Sequence, residues 1–162
     1  RSLLDFARRN YKAVCLDLSG NMEKYSVEIM RESQVVFLVC TSELPSLHLA
    51  REKLNFLRSM DLGDIVQVVL NRVGKREVVS AQEVEKLLGQ PVFSAFPNDY
   101  KGIHEALATG KSVKWDADLG TRFLSAAQAI LSGQTRVERE KPRFVEYFSL
   151  VPARYTLHPD SK

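Results

Sequence analysis

Four short apolar segments recur along the chain and are separated by longer stretches with helical spacing. They cover residues 13–18 (AVCLDL), 35–41 (VVFLVCT), 65–71 (IVQVVLN) and 91–96 (PVFSAF). Their apolar residues are nearly continuous rather than alternating, which is typical of strands that are buried on both faces. The pattern therefore predicts four strands of a parallel sheet.

The clearest helical pattern covers residues 43–60, where Leu47, Ala50, Leu54 and Leu57 recur at steps of three and four. Further helices are predicted over residues 80–88, which open on the capping-box pattern of Ser80 and Glu83, and over 98–109 and 119–131. The last helix is predicted to be amphipathic, with these apolar residues on one side: Phe123, Leu124, Ala127, Ile130 and Leu131.

Strands that alternate with helices form βαβ units, whose crossovers are right-handed and join parallel strands. The predicted fold class is therefore α/β, a mostly parallel sheet flanked by helices in three layers.

Composition narrows the class of protein without pointing to a ligand. The chain has 162 residues, of which 44% are hydrophobic and 27% charged, with a net charge of +3. These values are typical of a soluble globular domain of cytoplasmic type, and no apolar run approaches the roughly 20 residues that span a bilayer. Composition excludes a membrane-spanning protein, a disulfide scaffold and a disordered chain.

The cysteines and histidines give no metal-ligand spacing. Cys15 and Cys40 each lie inside an apolar segment, so both are predicted to be buried thiols rather than a disulfide. His48 and His104 are predicted on helix surfaces, and His158 lies near the end of the chain.

Candidate chemistry lies just after each apolar segment, because ligands of open α/β sheets bind beyond the carboxyl ends of the strands. Each candidate also has an ordinary structural interpretation, either as a turn or as a helix cap. The candidates are Asp17, Ser19 and Gly20 after the first segment, Asn71 and Arg72 after the third, and Pro97, Asn98 and Asp99 after the fourth.

Residues 3–132 resemble the second half of a MinD/ParA-type P-loop ATPase, and within that family the CpaE/TadZ-like pilus-assembly branch. The resemblance rests chiefly on LVCTSELPSL, VVLNRV and PVFSAFPNDYKGIHEALATGKSV. It implies an ATPase that binds ATP and Mg²⁺ as a homodimer, often peripherally at a membrane surface or cell pole, with pilus or secretion machinery as partner.

The resemblance also implies roles for the candidate residues. Asp17 would lie near the water shell of Mg²⁺ as the catalytic carboxylate, and Ser19 and Gly20 would sense the γ-phosphate. The family usually has Pro at the position of Ser19. Asn71, with Arg72 beside it, would bind the adenine, and Pro97, Asn98 and Asp99 would line the base pocket.

The phosphate-binding loop of such an ATPase does not occur in this sequence. Gly110-Lys111-Ser112 follows a predicted helix instead of joining a strand to one, so it is not a P-loop. We therefore expect residues 1–133 to be the C-terminal part of an ATPase domain whose first βα units, and by resemblance a receiver-like domain, precede Arg1. The alternative is an interaction module that kept the fold and lost nucleotide hydrolysis.

Residues 134–162 are predicted to form a separate charged and aromatic tail. Its basic residues, among them Arg136, Arg139 and Arg143, are interrupted by Glu138 and Glu140. Because acidic residues interrupt the basic ones, the tail is a poor candidate for a phosphate-binding surface, and a nucleic-acid partner is not favoured.

Overall fold

The computed structural model describes residues 2–74, 79–134 and Val137. Helices and strands alternate along most of this part of the chain, and the sheet strands are joined through helices. The elements are α1 (Ser2–Asn10), α2 (Lys24–Arg31), β1 (Val36–Cys40), α3 (Leu44–Ser59), a 3₁₀ turn (Gly63–Ile65), β2 (Val66–Val73), α4 (Ala81–Leu88), β3 (Val92–Pro97), α5 (Tyr100–Thr109) and α6 (Asp118–Leu131).

The described strands form one parallel sheet in the order β1-β2-β3. Val36 to Cys40 pair in register with Val66 to Leu70, and Val73 lies opposite Pro97. Helices lie on both faces of this sheet, so the predicted α/β class and the last three predicted strands are confirmed.

The first predicted strand is wrong. Residues 13–18 form neither helix nor strand, and Val14 and Leu16 are 40% and 45% exposed. A strand exists only where a neighbour accepts and donates its backbone hydrogen bonds. The apolar composition of this segment is that of a buried strand, but the described sheet offers it no partner.

The predicted helices are confirmed, with ends set by local chemistry. Ser80 accepts a hydrogen bond from the Glu83 N–H at 3.3 Å while its own N–H donates to Glu83 Oε2 at 2.7 Å, which is a complete capping box. Gly89 closes the same helix in the left-handed region at φ 61°. Helix α2 carries weaker signals and was not predicted.

One face of the sheet is densely covered. Helices α2, α3 and α4 pack on the residues of the strands that point to this side, and Leu54, Val68 and Leu70 are completely buried there. This is the main core. Its buried helix residues are Val27, Met30, Leu47, Ala50, Leu54, Leu57, Ala81, Val84 and Leu88.

Among the described residues, the opposite face is covered only over β2 and β3. There α6 and Val137 pack on Val69, Phe93 and Phe96. Because side chains alternate along a strand, Phe37 and Val39 of β1 point to this same face, and they are 36% and 58% exposed. We call Val35, Phe37 and Val39 the bare face of β1.

Helix α6 turns its small residues to the sheet. Leu119, Gly120, Ala126 and Ala129 are buried, whereas the larger apolar residues predicted on one side are at least partly exposed. Phe123 is 51% and Ile130 is 47% exposed, although the Phe123 ring lies 4.7 Å from that of Phe96. The predicted helix is therefore correct, but most of its predicted apolar side packs against no described residue closely enough to be buried.

The two cysteines differ, so the prediction that both are buried is half wrong. Cys40 is buried at the end of β1, and burial raises the pKa of its thiol to about 11. Cys15 is exposed because its segment did not enter the sheet, and neither forms a disulfide. His48 and His104 are exposed on helices as predicted; His158 and most of the predicted tail lie outside the described residues.

Candidate functional site

The carboxyl ends of all three strands meet at one edge of the sheet. Cys40 pairs with Leu70, so Thr41 follows β1 where Asn71 continues β2. The Asn98 N–H donates to the Val73 carbonyl at 2.9 Å, which joins the residues after β3 to the end of β2. Five of the eight candidates are therefore brought together; we call Thr41, Glu43, Asn71, Arg72 and Asn98, with Pro97 and Asp99, the strand-end cluster.

Asn71 and Arg72 have a constrained backbone. Arg72 has φ 55°, a left-handed conformation that side chains other than Gly adopt rarely and at a cost of about 1 kcal/mol or more. Its N–H donates to Asn71 Oδ1 at 2.9 Å. The Asn71 side chain is exposed and keeps its two N–H donors and one oxygen lone pair for a ligand.

Glu43 adds a carboxylate to this edge. Hydrogen bonds from the Thr41 hydroxyl and from its own backbone lower the pKa of Glu43, and the positive charge of Arg72 lowers it further. The carboxylate is thus ionised near the positive Arg72. The sequence places Glu43 in the loop before α3, but no local pattern distinguishes it, because its proximity to the charge of Arg72 depends on strand pairing.

Asp99 serves chiefly as a helix cap. Its Oδ1 accepts a hydrogen bond from the Gly102 N–H at 2.9 Å at the start of α5. A β-carbon at Gly102 would displace the Asp99 carboxylate, so glycine at this position allows the cap to form. The structural interpretation of Asp99 therefore accounts for its carboxylate, while Pro97 ends β3 and the exposed Asn98 follows it.

Asp17, Ser19 and Gly20 lie in a different place. Lys53 Nζ donates to the Gly20 carbonyl, which holds this turn against the flank of α3. Lys53 is nine residues beyond Leu44, or about 13 Å along the helix axis at 1.5 Å per residue. No described contact joins Asp17 to the strand-end cluster, and Asp17 does not follow a strand in the structure.

The described residues offer more groups suited to the base of a nucleotide than to its phosphates and Mg²⁺. The exposed amides of Asn71 and Asn98 offer the paired donors and acceptors that a purine edge requires. A single carboxylate such as Asp17 suits contact with Mg²⁺ through water, since Mg²⁺ keeps several waters in proteins. Within residues 2–74 and 79–134 no three His, Cys, Asp or Glu side chains are grouped as a metal site.

A cavity of about 350 Å³ lies beside the cluster, along the outer edge of β3. It is lined by Ser94 and Ala95 from β3, by residues at the start of α4, and by Asp118 and Arg122 from α6. Only Val73 and Pro97 connect it to the strand ends. The concave surface therefore lies on the far side of β3 from Asn71, and the strand-end cluster itself is open.

Solved structures with a similar fold come from ParA and MinD proteins. A ParA family ATPase from Chlorobium tepidum TLS aligns with 78% of this chain and 54% of that one, with a TM-score of 0.72 and 22% identity. The MinD cell division protein of Aquifex aeolicus aligns with 85% of this chain and 61% of that one, with a TM-score of 0.73 and 16% identity. The chain has the fold of the ParA/MinD ATPases.

Sequence comparison gives a weaker relation of the same kind. A Tupiella akineta protein named as a septum site-determining protein MinD is 26% identical over 102 residues, 60% of this chain and 33% of that protein. A MinC:MinD cell division complex of Aquifex aeolicus also aligns, with a TM-score of 0.60, 18% identity and coverage of 74% of this chain and 52% of that one. No family model matches.

The ParA/MinD-like chain thus spans about a third of the curated relative and between 52% and 61% of the solved structures. None of its described helices is both long enough and apolar enough to cross a membrane.

Proposed function

We propose that this chain is the C-terminal part of a ParA/MinD-like ATPase domain and supplies the base-binding side of its ATP site. The observation that carries the proposal is the strand-end cluster. In a sheet with this fold, the exposed Asn71 amide stands at the carboxyl edge, where α/β proteins bind their ligands. Asn98, which follows the next strand, is joined to the same end of β2 through Val73.

The open side of β1 supports the proposal that more of the same domain packs there. The outer edge of β1 pairs with no described strand, and its bare face leaves Val39 58% exposed. Gln67, which pairs with Phe37, has a buried Oε1 that accepts no hydrogen bond from the described residues. A buried acceptor of this kind costs about 1–3 kcal/mol, so a donor from a further segment would stabilise the sheet.

The path of residues 11–23 is consistent with an additional strand beside β1. Arg8 pairs with Glu32 just after α2 at 3.2 Å, and Lys24 begins α2, so this segment runs back along that helix. Helix α2 reaches β1 through four residues and so packs antiparallel to it. The segment therefore runs parallel to β1, and we propose that a strand upstream of Arg1 lies between the two.

The finer features of the proposal come from the resemblance. We propose that the complete protein belongs to the CpaE/TadZ-like branch, binds ATP with Mg²⁺ as a homodimer, and acts with pilus or secretion machinery at the cytoplasmic membrane surface. Asp17, Ser19 and Gly20 would approach the phosphates and Mg²⁺ from the same domain. This chain alone would not hydrolyse ATP, because phosphoryl transfer needs a charged phosphate cradle.

Calorimetric titration of the complete encoded protein with ATP and Mg²⁺ tests this proposal. We expect Asn71→Ala to weaken binding about tenfold or more, because a base-edge contact is worth roughly 1–3 kcal/mol. Asn55→Ala, the same change on the exposed side of α3, is the matched control and should bind like the wild type. Equal affinity of Asn71→Ala and wild type would contradict the proposal. Binding with no phosphate release would favour the alternative interaction module.

A further inference from the structure

The segment between α1 and α2 is held to the rest of the molecule by few contacts. Residues 11–21 are exposed except for Leu18, which packs with Met22 against the main core. The Glu23 N–H donates only to the Asn21 carbonyl nearby, at 2.8 Å. Local turns and one apolar anchor do not determine the direction in which the 17–20 loop, Asp17 to Gly20, presents its polar groups.

One polar contact does fix this loop. Lys53 Nζ donates to the Gly20 carbonyl across 33 positions of sequence. A β-carbon added to Gly20 would lie 3.2 Å from that ammonium group, so the turn and the lysine are closely packed. A charged donor makes a stronger hydrogen bond to a carbonyl than a neutral donor does.

The helix that carries Lys53 is firmly packed on the sheet. Leu47, Ala50, Leu54 and Leu57 on its inner side are all at most 3% exposed. The same helix begins at Glu43 and Leu44, next to Arg72 in the strand-end cluster. One rigid element therefore bears on both groups of candidate residues, although they lie apart.

We propose that Lys53 is the positioning residue of the 17–20 loop. Its ammonium group holds the Gly20 carbonyl on α3, and this contact orients Asp17 and Ser19 for their partners. Lys53 itself touches no substrate in this scheme. The purpose of this orientation rests on the proposed function. The claim that Lys53 orients the loop does not depend on it.

A spin label on Cys15 tests the structural half in the 162-residue chain. Cys15 is exposed in this segment, whereas Cys40 is buried with a thiol pKa of about 11, so labelling at neutral pH is selective. We expect Lys53→Ala to raise the mobile fraction of the label clearly, and Lys53→Arg, which keeps a charged donor, to restore the wild-type spectrum. Arg51→Ala, an exposed change on the same helix, is the control.

Superimposable spectra for wild type and Lys53→Ala would overturn the proposal. So would an equal change in Arg51→Ala, because the effect would then not belong to the Lys53 contact.

The functional half is tested on the complete encoded protein by measuring ATP affinity with Mg²⁺ and with EDTA. We expect Lys53→Ala to reduce the Mg²⁺-dependent gain in affinity about fivefold, the size of effect typical of one hydrogen bond. The affinity in EDTA should not change, and Lys53→Arg should restore the gain. An unchanged Mg²⁺ gain overturns the positioning role. Failure of wild type to bind ATP at all refutes the proposed function, while the spin label still decides the role of Lys53.

Discussion

The two faces of the sheet differ in how completely the described residues cover them. On one face α2, α3 and α4 bury Leu54, Val68 and Leu70 completely. On the other, α6 covers β2 and β3 with small residues, while Phe37 and Val39 of β1 remain exposed. The covered face is a finished protein core. The bare face of β1 is also apolar, but no described helix covers it.

The largest contrast is expected from truncating one residue on each face. Leu54→Ala leaves a cavity in the covered face and should lower the free energy of unfolding by about 2–5 kcal/mol. Val39→Ala removes apolar atoms that are already half in water, so it should cost about 0.5 kcal/mol or less in the 162-residue chain. Urea denaturation of the two variants measures both values. Comparable losses would show that the bare face is covered after all.

A smaller contrast concerns how the helices of each face begin. Ser80 caps α4 through a capping box, whereas Ala117, with nearly the same backbone (φ −73°, ψ 153°), begins α6 with no side-chain hydrogen bond. Ser80→Ala should destabilise the chain by about 1 kcal/mol, and Ala117→Ser should stabilise it by about 0.5 kcal/mol. Thermal unfolding measures both. A change of the same sign in the two variants would refute this account of the caps.

The capping box also makes part of this stability depend on pH. The Ser80 backbone N–H and hydroxyl lower the pKa of Glu83 below its ordinary value. A lowered folded-state pKa stabilises the fold above the ordinary carboxyl range, and this contribution is lost as the pH falls through the folded value. Ser80→Ala should therefore reduce the loss of stability on acidification below about pH 4. Parallel pH profiles for wild type and variant would contradict this.

The covered face is also the one that the sequence predicts well. Residues 43–60 carry both a helical apolar pattern and a proline in the first turn, and the observed α3 differs by one residue at each end. Strands β1, β2 and β3 were recognisable because each is apolar on both sides and each has a partner. Local pattern and tertiary packing agree at these positions.

Apart from α2 on the covered face, which the sequence does not predict, the errors concern residues 13–18 and helix α6 on the other face. Residues 13–18 have the composition of a buried strand, but pairing depends on a neighbour, and composition does not report whether one is present. The same error misplaced Cys15. Along α6 the predicted apolar side contains mostly large residues such as Phe123 and Ile130. The structure instead buries Ala126 and Ala129, because close packing on Phe93 favours small side chains.

The candidate site could be predicted in part. The grouping of Asn71, Pro97 and Asn98 at one edge is predictable because residues after parallel strands meet there; their role as a site stays a prediction. Glu43 and Lys53 are not predicted, because the electrostatic effect of Arg72 on Glu43 and the hydrogen bond from Lys53 to Gly20 connect positions 29 and 33 residues apart. No local pattern encodes such a contact.

Hydrogen exchange at β1 tests most directly whether this chain is the later part of a larger ATPase sheet. The measurement compares the amides of Val36–Cys40 in the 162-residue chain and in the complete encoded protein, with Val66–Val73 of β2 as internal reference. We predict that protection at β1 rises by an order of magnitude or more in the complete protein, because an added strand pairs with its open edge, while protection at β2 changes little. Equal exchange of β1 in the two proteins would contradict the account.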